Sequence, residues 1–122
     1  MINLREHINA PGFDIPDITL DPAGIKAVMI NEVPPPNPAD GFYGGPESDY
    51  ARSVLGLFKM AGIHARSIQD VLDMGIYLTT AVKTPKSGYT VETAIIKAHL
   101  PILKAELSLF PTLKVIGLMG DV

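Results

Sequence analysis

Apolar and polar positions follow two different patterns along the chain. Short apolar runs at 28–30, 76–82 and 113–120 have the length and the β-branched content of buried strands. Between these runs, apolar residues recur at steps of three and four, which is the period of an amphipathic helix. The alternation of strand and helix predicts a parallel sheet whose strands are joined by right-handed crossovers.

The first long helix is predicted at 47–61, because Pro46 and Glu47 suit its first turn and Gly62 suits its end. Its free N–H groups follow a glycine-rich loop and could face an anionic ligand, although an ordinary sheet-covering helix explains the same side chains. Its predicted apolar face consists of Tyr50, Val54, Leu57, Phe58 and Ala61. Ser67 and Asp70 then resemble a capping box that opens a short helical turn.

The second long helix is predicted to begin after Thr90, a good N-cap residue, and to stop at Pro111. Its apolar series continues past Pro101, so we expect one kinked helix and not two. The predicted buried face consists of Val91, Ile95, Ala98, Ile102, Ala105 and Leu109.

Residues 1–23 predict an extended arm that lies on the core, with one short helical turn within 3–9. Its proposed anchors are the apolar residues Ile2, Leu4, Ile8, Phe13, Ile15, Ile18 and Leu20. Residues 24–122 form the α/β domain in this interpretation.

Composition narrows the class of protein. With 122 residues, 47% of them hydrophobic, the chain is expected to form a single soluble domain, and it carries neither a membrane-length apolar run nor a signal sequence. We therefore expect a cytoplasmic protein. Zero cysteines exclude disulfides and cysteine-ligated clusters, and three scattered histidines predict no metal site. A net charge of −3 argues against strong nonspecific binding of polyanions.

Candidate chemistry follows the first strand. Asn31 and Glu32 come directly after it, and three prolines then prevent further pairing in a sheet. Glu32 is thereby predicted at the carboxyl edge of the sheet, where open α/β sheets bind ligands. In the following loop, glycines flank Phe42 and Tyr43, a pattern that suits stacking on a flat ligand. The alternative is that both rings only anchor the loop to the core.

A second polar segment follows the strand at 76–82. Lys83, Lys86 and Ser87 stand in a turn there and form the best candidate for a phosphate contact in the chain. A solvated turn without a ligand is the alternative.

Five segments carry a resemblance to a known family. Asn31-Glu32-Val33-Pro34-Pro35 and Gly41-Phe42-Tyr43-Gly44 correspond to its Gly-Glu-Ala-Pro-Gly and Pro-Phe-Val-Gly motifs. Tyr77-Leu-Thr-Thr-Ala-Val-Lys-Thr84 corresponds to Tyr-Ile-Thr-Asn-Val-Val-Lys-Cys. His99-Leu-Pro-Ile-Leu103 and Pro111-Thr-Leu-Lys-Val-Ile116 match its Cys-x-Pro-x-Leu helix and the strand that follows. From about Gly24 to Asp121 the chain resembles the uracil-DNA glycosylase superfamily, most closely its bacterial and archaeal iron–sulfur branch.

The resemblance implies a three-layer αβα fold with a short parallel sheet of about three strands in the order 2-1-3, incomplete at its carboxyl end. It implies an enzyme that excises a flipped base from DNA, with Glu32 as the catalytic residue that positions or activates the water and stabilises positive charge on the sugar. The residues implied to bind the base are Asn31, Phe42, Tyr43, Gly44 and Thr80. Lys83, Lys86 and Ser87 would contact DNA phosphate. No cofactor is expected.

Departures from the family pattern favour a second hypothesis about the function. Thr80 replaces the asparagine that reads uracil, and Thr84 and His99 stand where two cluster cysteines are expected. The family's last strand, with its histidine and duplex-wedging loop, is expected beyond Val122. The alternative function is therefore a catalytically inactive remnant that still binds nucleobases or nucleic acid.

Two further expectations concern class and assembly. A small nucleotide-binding α/β domain is the third alternative, although Gly-x-Gly-x-x-Gly and phosphate-loop motifs are absent from the sequence. The open edge of the last strand is expected to pair with a second copy of the chain.

Overall fold

The described part of the chain contains a three-stranded parallel sheet, a small antiparallel pair, four α-helices and two short 3-10 helices at Pro22–Gly24 and Pro38–Asp40. The structure is a computed structural model that describes residues 1–10, 12–13, 15–85 and 92–119. Its strands are β1 Ile2–Asn3, β2 Thr19–Leu20, β3 Ala27–Asn31, β4 Ile76–Thr80 and β5 Val115–Leu118. Its helices are α1 Leu4–His7, α2 Asp49–Met60, α3 Ile68–Asp73 and α4 Thr93–Leu107.

The central strand of the sheet is β3, which comes first among the three in chain order. It pairs in parallel with β4 on one side and with β5 on the other, so that Val28 lies opposite both Tyr77 and Ile116. The predicted α/β class and the predicted order 2-1-3 are therefore confirmed.

Helical residues pack on both faces of this sheet, because successive strand side chains point to opposite faces. Val28, Ile30 and Tyr77 share one buried cluster with Ile102 of α4. On the other face, Leu78 packs with Phe42, with Val71 of α3, and with Val54 and Phe58 of α2.

The amino-terminal arm belongs to the first of these clusters. β1 and β2 pair antiparallel, and the arm residues Leu4, Ile8, Ile15 and Leu20 are buried beside Val28 and Tyr77. The other predicted anchors, Ile2, Phe13 and Ile18, pack against the same cluster and stay partly accessible. The arm thereby supplies one wall of the core.

Helix α2 begins two residues later than the sequence predicts. Ser48 is its N-cap and accepts a hydrogen bond from Ala51 N at 3.2 Å, so the chain before Asp49 is not helical. The buried face consists of Ala51, Val54 and Phe58, whereas Leu57 is 57% exposed. The predicted placement of Leu57 in the core was wrong.

Helix α3 confirms the capping pattern. Asp70 N donates to Ser67 Oγ at 3.2 Å, and the Asp70 carboxylate accepts from Arg66 N at 2.9 Å.

Helix α4 runs through Pro101 without interruption, as predicted, but it buries a different face. His99, Ile102 and Glu106 are buried, whereas Ile95, Ala98 and Ala105 are exposed. The predicted face was therefore wrong by about one residue of helical rotation, because two polar residues occupy the stripe that faces the sheet. The predicted N-cap Thr90 and the first apolar position Val91 lie outside the described residues.

Strand β5 is shorter and more accessible than predicted. It covers four residues, and Val115, Ile116 and Leu118 are 59%, 50% and 62% exposed. The prediction of a third buried strand was wrong: β4 is also an end strand of the sheet and is buried, whereas the side chains of β5 stay accessible. None of the helices in the described part of the chain has the length and apolarity needed to cross a membrane.

Candidate functional site

A cavity of about 480 Å³ lies at the carboxyl ends of β3 and β4. The prolines after β3 and the glycine-rich loop form one side, and the end of β4 forms another. Arg5, Ile15 and Asp17 of the arm close a third side, and Glu106 reaches it from α4. The cavity thus collects residues from four distant parts of the chain, as is usual at this edge of an α/β sheet.

Most of the predicted site residues meet in this cavity. Phe42, Tyr43, Gly44, Thr80 and Lys83 all line it. The structure does not place Asn31 or Glu32 in its lining. Lys86 and Ser87 lie outside the described residues.

Asn31 and Glu32 stay at the strand end beside the cavity. Both are half-buried, and the Asn31 side-chain oxygen accepts a hydrogen bond from Glu32 N at 2.9 Å. The Glu32 carbonyl accepts from Val82 N at 3.0 Å, which continues the pairing of the two strands beyond β3. The position of Glu32 is therefore fixed by the sheet.

The glycine-rich loop is held to the core by its own rings. Phe42 is only 6% exposed and lies 5.3 Å from the Tyr50 ring, centroid to centroid. The Tyr43 hydroxyl donates to the Leu78 carbonyl at 2.7 Å and accepts from Leu78 N at 3.1 Å. Both rings therefore anchor the loop to the core and also line the cavity, while stacking on a flat ligand stays a prediction.

Two further contacts fix this loop. Ser48 is 1% exposed, and its hydroxyl donates to the Gly41 carbonyl, which ties the start of α2 to the loop. Gly44 passes so close to Ala39 that a Cβ atom would overlap the Ala39 carbonyl group. A larger residue at position 44 would force the loop away from the cavity.

A buried polar network forms the floor between β4 and α4. The Lys83 ammonium is ion-paired with Oε1 of Glu106, and Tyr77 donates to Oε2 of the same carboxylate. Thr79 Oγ1 lies 2.6 Å from Glu106 Oε2 and 2.9 Å from Lys83 Nζ, and Lys83 also donates to the Thr80 carbonyl. Each charge in this network has a partner, as burial requires.

The engagement of Lys83 changes its expected role. Its ammonium donates hydrogen bonds to Thr79 Oγ1 and to the Thr80 carbonyl, and it is ion-paired with Glu106. Burial lowers the pKa of Lys83, and the charge of Glu106 opposes that effect. The structure therefore places this amine within the protein network, and its contact with a phosphate stays a prediction.

His99 supports the same segment from α4. Its Nδ1 accepts a hydrogen bond from Lys83 N at 2.8 Å, and the Phe13 ring meets the imidazole edge-on at 4.7 Å. Burial lowers the pKa of His99, and the Lys83 charge adds to that effect. A neutral imidazole that carries its proton on Nε2 satisfies this arrangement.

Glu106, Arg5 and Asp17 are site residues that the sequence analysis did not identify. Glu106 carried a usable signal, because it falls four residues after Ile102 on the buried stripe of α4. Arg5 and Asp17 gave no signal, since only the tertiary placement of the arm brings them to the cavity. Arg5 Nε donates to the Ile15 carbonyl at 2.8 Å, and Asp17 Oδ1 accepts from Asn3 at 2.7 Å.

Fold and site define a small α/β protein with a ligand-sized cavity at the carboxyl edge of its sheet. Among the described residues, no group of three or more histidine or acidic side chains is placed to hold a metal ion. Comparisons with protein-family models, curated proteins and solved structures gave no match.

Proposed function

We propose that the chain binds a planar heterocycle of the nucleobase type in this cavity. The observation that carries the proposal is that Phe42, Tyr43 and Thr80 line one cavity at the carboxyl edge of the sheet. Aromatic side chains favour flat ring systems, and a hydroxyl can donate to or accept from the polar edge of a base.

The size and charge of the cavity fit such a ligand. Its volume of about 480 Å³ falls within the range of small-molecule sites, roughly 300–1,000 Å³. The Lys83 and Glu106 charges in its lining neutralise each other. A neutral ligand with mixed donors and acceptors suits these walls better than a multiply charged one.

Base excision from DNA is the second candidate, and the resemblance to uracil-DNA glycosylases motivates it. The observation that favours it is that Glu32 follows the central strand at the same edge of the sheet. Binding comes first in our proposal because the two acids in the cavity lining already have partners, whereas Glu32 is not a lining residue. Glu106 is ion-paired with Lys83, and Asp17 accepts a hydrogen bond from Asn3. In either case the same pocket would hold the base, whether free or flipped from DNA.

Calorimetric titration with uracil, hypoxanthine and xanthine tests the binding proposal. We expect saturable binding that weakens about tenfold or more in Thr80→Val, because loss of the hydroxyl would leave a polar group of the base unpaired. Thr84→Val is the matched control, since Thr84 is exposed and does not line the cavity. Phe42→Leu and Phe58→Leu form a second pair, because both rings share one cluster and only Phe42 lines the cavity.

If none of the three bases binds to the folded protein, the proposal is wrong. Equal effects of Thr80→Val and Thr84→Val would also contradict it.

A gel assay with duplexes that contain uracil, hypoxanthine or xanthine tests excision separately. Release of a base that is abolished in Glu32→Ala would support the enzyme. Binding of the free base, without excision and with no effect of Glu32→Ala, would support a binding protein that lacks the chemistry.

A further inference from the structure

The hydroxyl of Thr79 has a fixed hydrogen-bonding direction. Lys83 Nζ lies 2.9 Å from Thr79 Oγ1, and Glu106 Oε2 lies 2.6 Å from it. An ammonium group can only donate, and an ionised carboxylate can only accept. The Thr79 hydroxyl must therefore accept from Lys83 and donate its own proton to Glu106.

The orientation of the Thr79 hydroxyl is strongly favoured, because each member of the network is buried. Thr79, Lys83 and Glu106 are 7%, 7% and 2% exposed, and the Tyr77 hydroxyl also donates to Glu106. Reversal of the Thr79 hydroxyl would aim its proton at the ammonium and remove a donor from the carboxylate. A buried group that loses its partner costs the full desolvation penalty, so the opposite orientation is strongly disfavoured.

The consequence reaches the cavity, because Thr79 lines it. A hydroxyl oxygen has two lone pairs, of which Lys83 takes one, and the hydroxyl proton is already used. Toward a ligand, Thr79 therefore offers one lone pair and no proton.

We infer that the Lys83–Glu106 pair makes Thr79 an obligate acceptor, so that the cavity selects planar ligands that present an N–H group over analogues whose nitrogens are blocked. This inference rests on the proposed nucleobase binding and specifies the class of base recognised. Thr79 is a specificity-determining residue in it, and Lys83 and Glu106 are positioning residues that act through Thr79.

Uracil and 1,3-dimethyluracil are the probes that test this selection, because methylation removes both N–H groups of the ring. We expect uracil to bind the wild-type chain at least about tenfold more tightly than its dimethyl analogue. Thr79→Ser keeps the hydroxyl and should keep this ratio, whereas Thr79→Val should reduce the ratio to within about threefold. Loss of a merely structural contact would weaken both ligands equally and leave the ratio unchanged.

A second variant covers the case in which Thr79→Val does not fold. Lys83→Met combined with Glu106→Leu replaces the ion pair with apolar side chains of similar volume and frees the Thr79 hydroxyl to rotate. We expect the ratio to fall in this double variant as well, with circular dichroism and thermal unfolding as checks of folding.

The outcomes separate the two proposals. Equal binding of uracil and dimethyluracil to the wild type would overturn the inference and leave nucleobase binding intact. A wild-type ratio that persists in a folded Thr79→Val or double variant would also overturn it. Failure of the wild type to bind any base would remove both proposals together.

Discussion

The side chains of Lys83 and Glu106 are 5% and 3% exposed, so each charge depends on the other. Glu106→Ala would leave a buried ammonium without its counter-charge, and we expect it to lower the free energy of unfolding by about 3–5 kcal/mol. The double variant Lys83→Met/Glu106→Leu should lose much less, because no unpaired charge remains. Urea unfolding of both variants measures the difference. An equal loss in the single and double variants would contradict this interpretation of the pair.

Two buried tyrosines predict a loss of stability at alkaline pH. Burial raises the pKa of Tyr43 and Tyr77 above the usual value of 10.0, and the charge of Glu106 adds to both shifts. Above pH 10 the unfolded chain releases these protons and the folded chain keeps them, so stability that is complete below pH 10 falls as the pH rises. Each tyrosine contributes a slope of about 1.4 kcal/mol per pH unit.

Tyr43→Phe should remove the contribution of one tyrosine to the fall of stability above pH 10, and unfolding measured between pH 9 and 11.5 can detect this change in slope. Lys83 has the opposite effect on the pH dependence of stability, at lower pH. Its lowered pKa makes stability rise as the pH approaches 10.5. An unchanged slope above pH 10 in Tyr43→Phe would show that Tyr43 ionises as readily in the folded chain as in the unfolded one.

At the scale of elements, the two serine caps should differ in strength. Ser48 caps α2, is 1% exposed and also donates to the Gly41 carbonyl, whereas Ser67 caps α3 at an exposed position. We expect Ser67→Ala to cost about 1 kcal/mol and Ser48→Ala to cost more, because the alanine also leaves a loop carbonyl without its donor. Thermal unfolding of the two variants measures the two losses of stability. A larger loss in Ser67→Ala would contradict it.

The positions of the three parallel strands were predictable, the antiparallel pair β1 and β2 was not predicted, and the helix faces were only partly predictable. β3 and β4 form where the apolar runs stand, and prolines mark the end of β3, because these signals are local. The face of α4 was misjudged because periodicity counts apolar residues, and the buried stripe contains His99 and Glu106. His99 and Glu106 stand at helical spacing from the apolar Ile102, and this spacing was the sign in the sequence that α4 buries a polar network.

At the scale of the whole molecule, the candidate site was half predictable. The strand-end and glycine-loop residues were identifiable, since the edge of a parallel sheet collects the segments that follow its strands. The third side of the cavity depends on where the arm docks, and that is decided by packing of Leu4, Ile8 and Ile15 into a core shared with β3 and β4. Such long-range packing leaves no periodic trace in the sequence.

The accessible end strand predicts self-association of the chain. Ile116 and Leu118 are exposed on β5, and an open apolar edge invites pairing with another strand. We expect sedimentation velocity to show a concentration-dependent dimer that Ile116→Lys abolishes. Met60→Lys is the control, because Met60 is 86% exposed and belongs to helix α2, not to the end strand β5. A clean monomer at high concentration would contradict the prediction.

The order of the strands also has a kinetic consequence. The central strand is made first, while Ala27 finds its second neighbour only at Val115, and hydrogen bonds from Thr112 to Ala23 and from Lys26 to Thr112 span 89 and 86 positions. During synthesis, β3 therefore waits with one side unpaired until the last strand has left the ribosome. Closing the sheet costs the entropy of a very long loop, so this chain should fold slowly for its size and depend on protection of its nascent form.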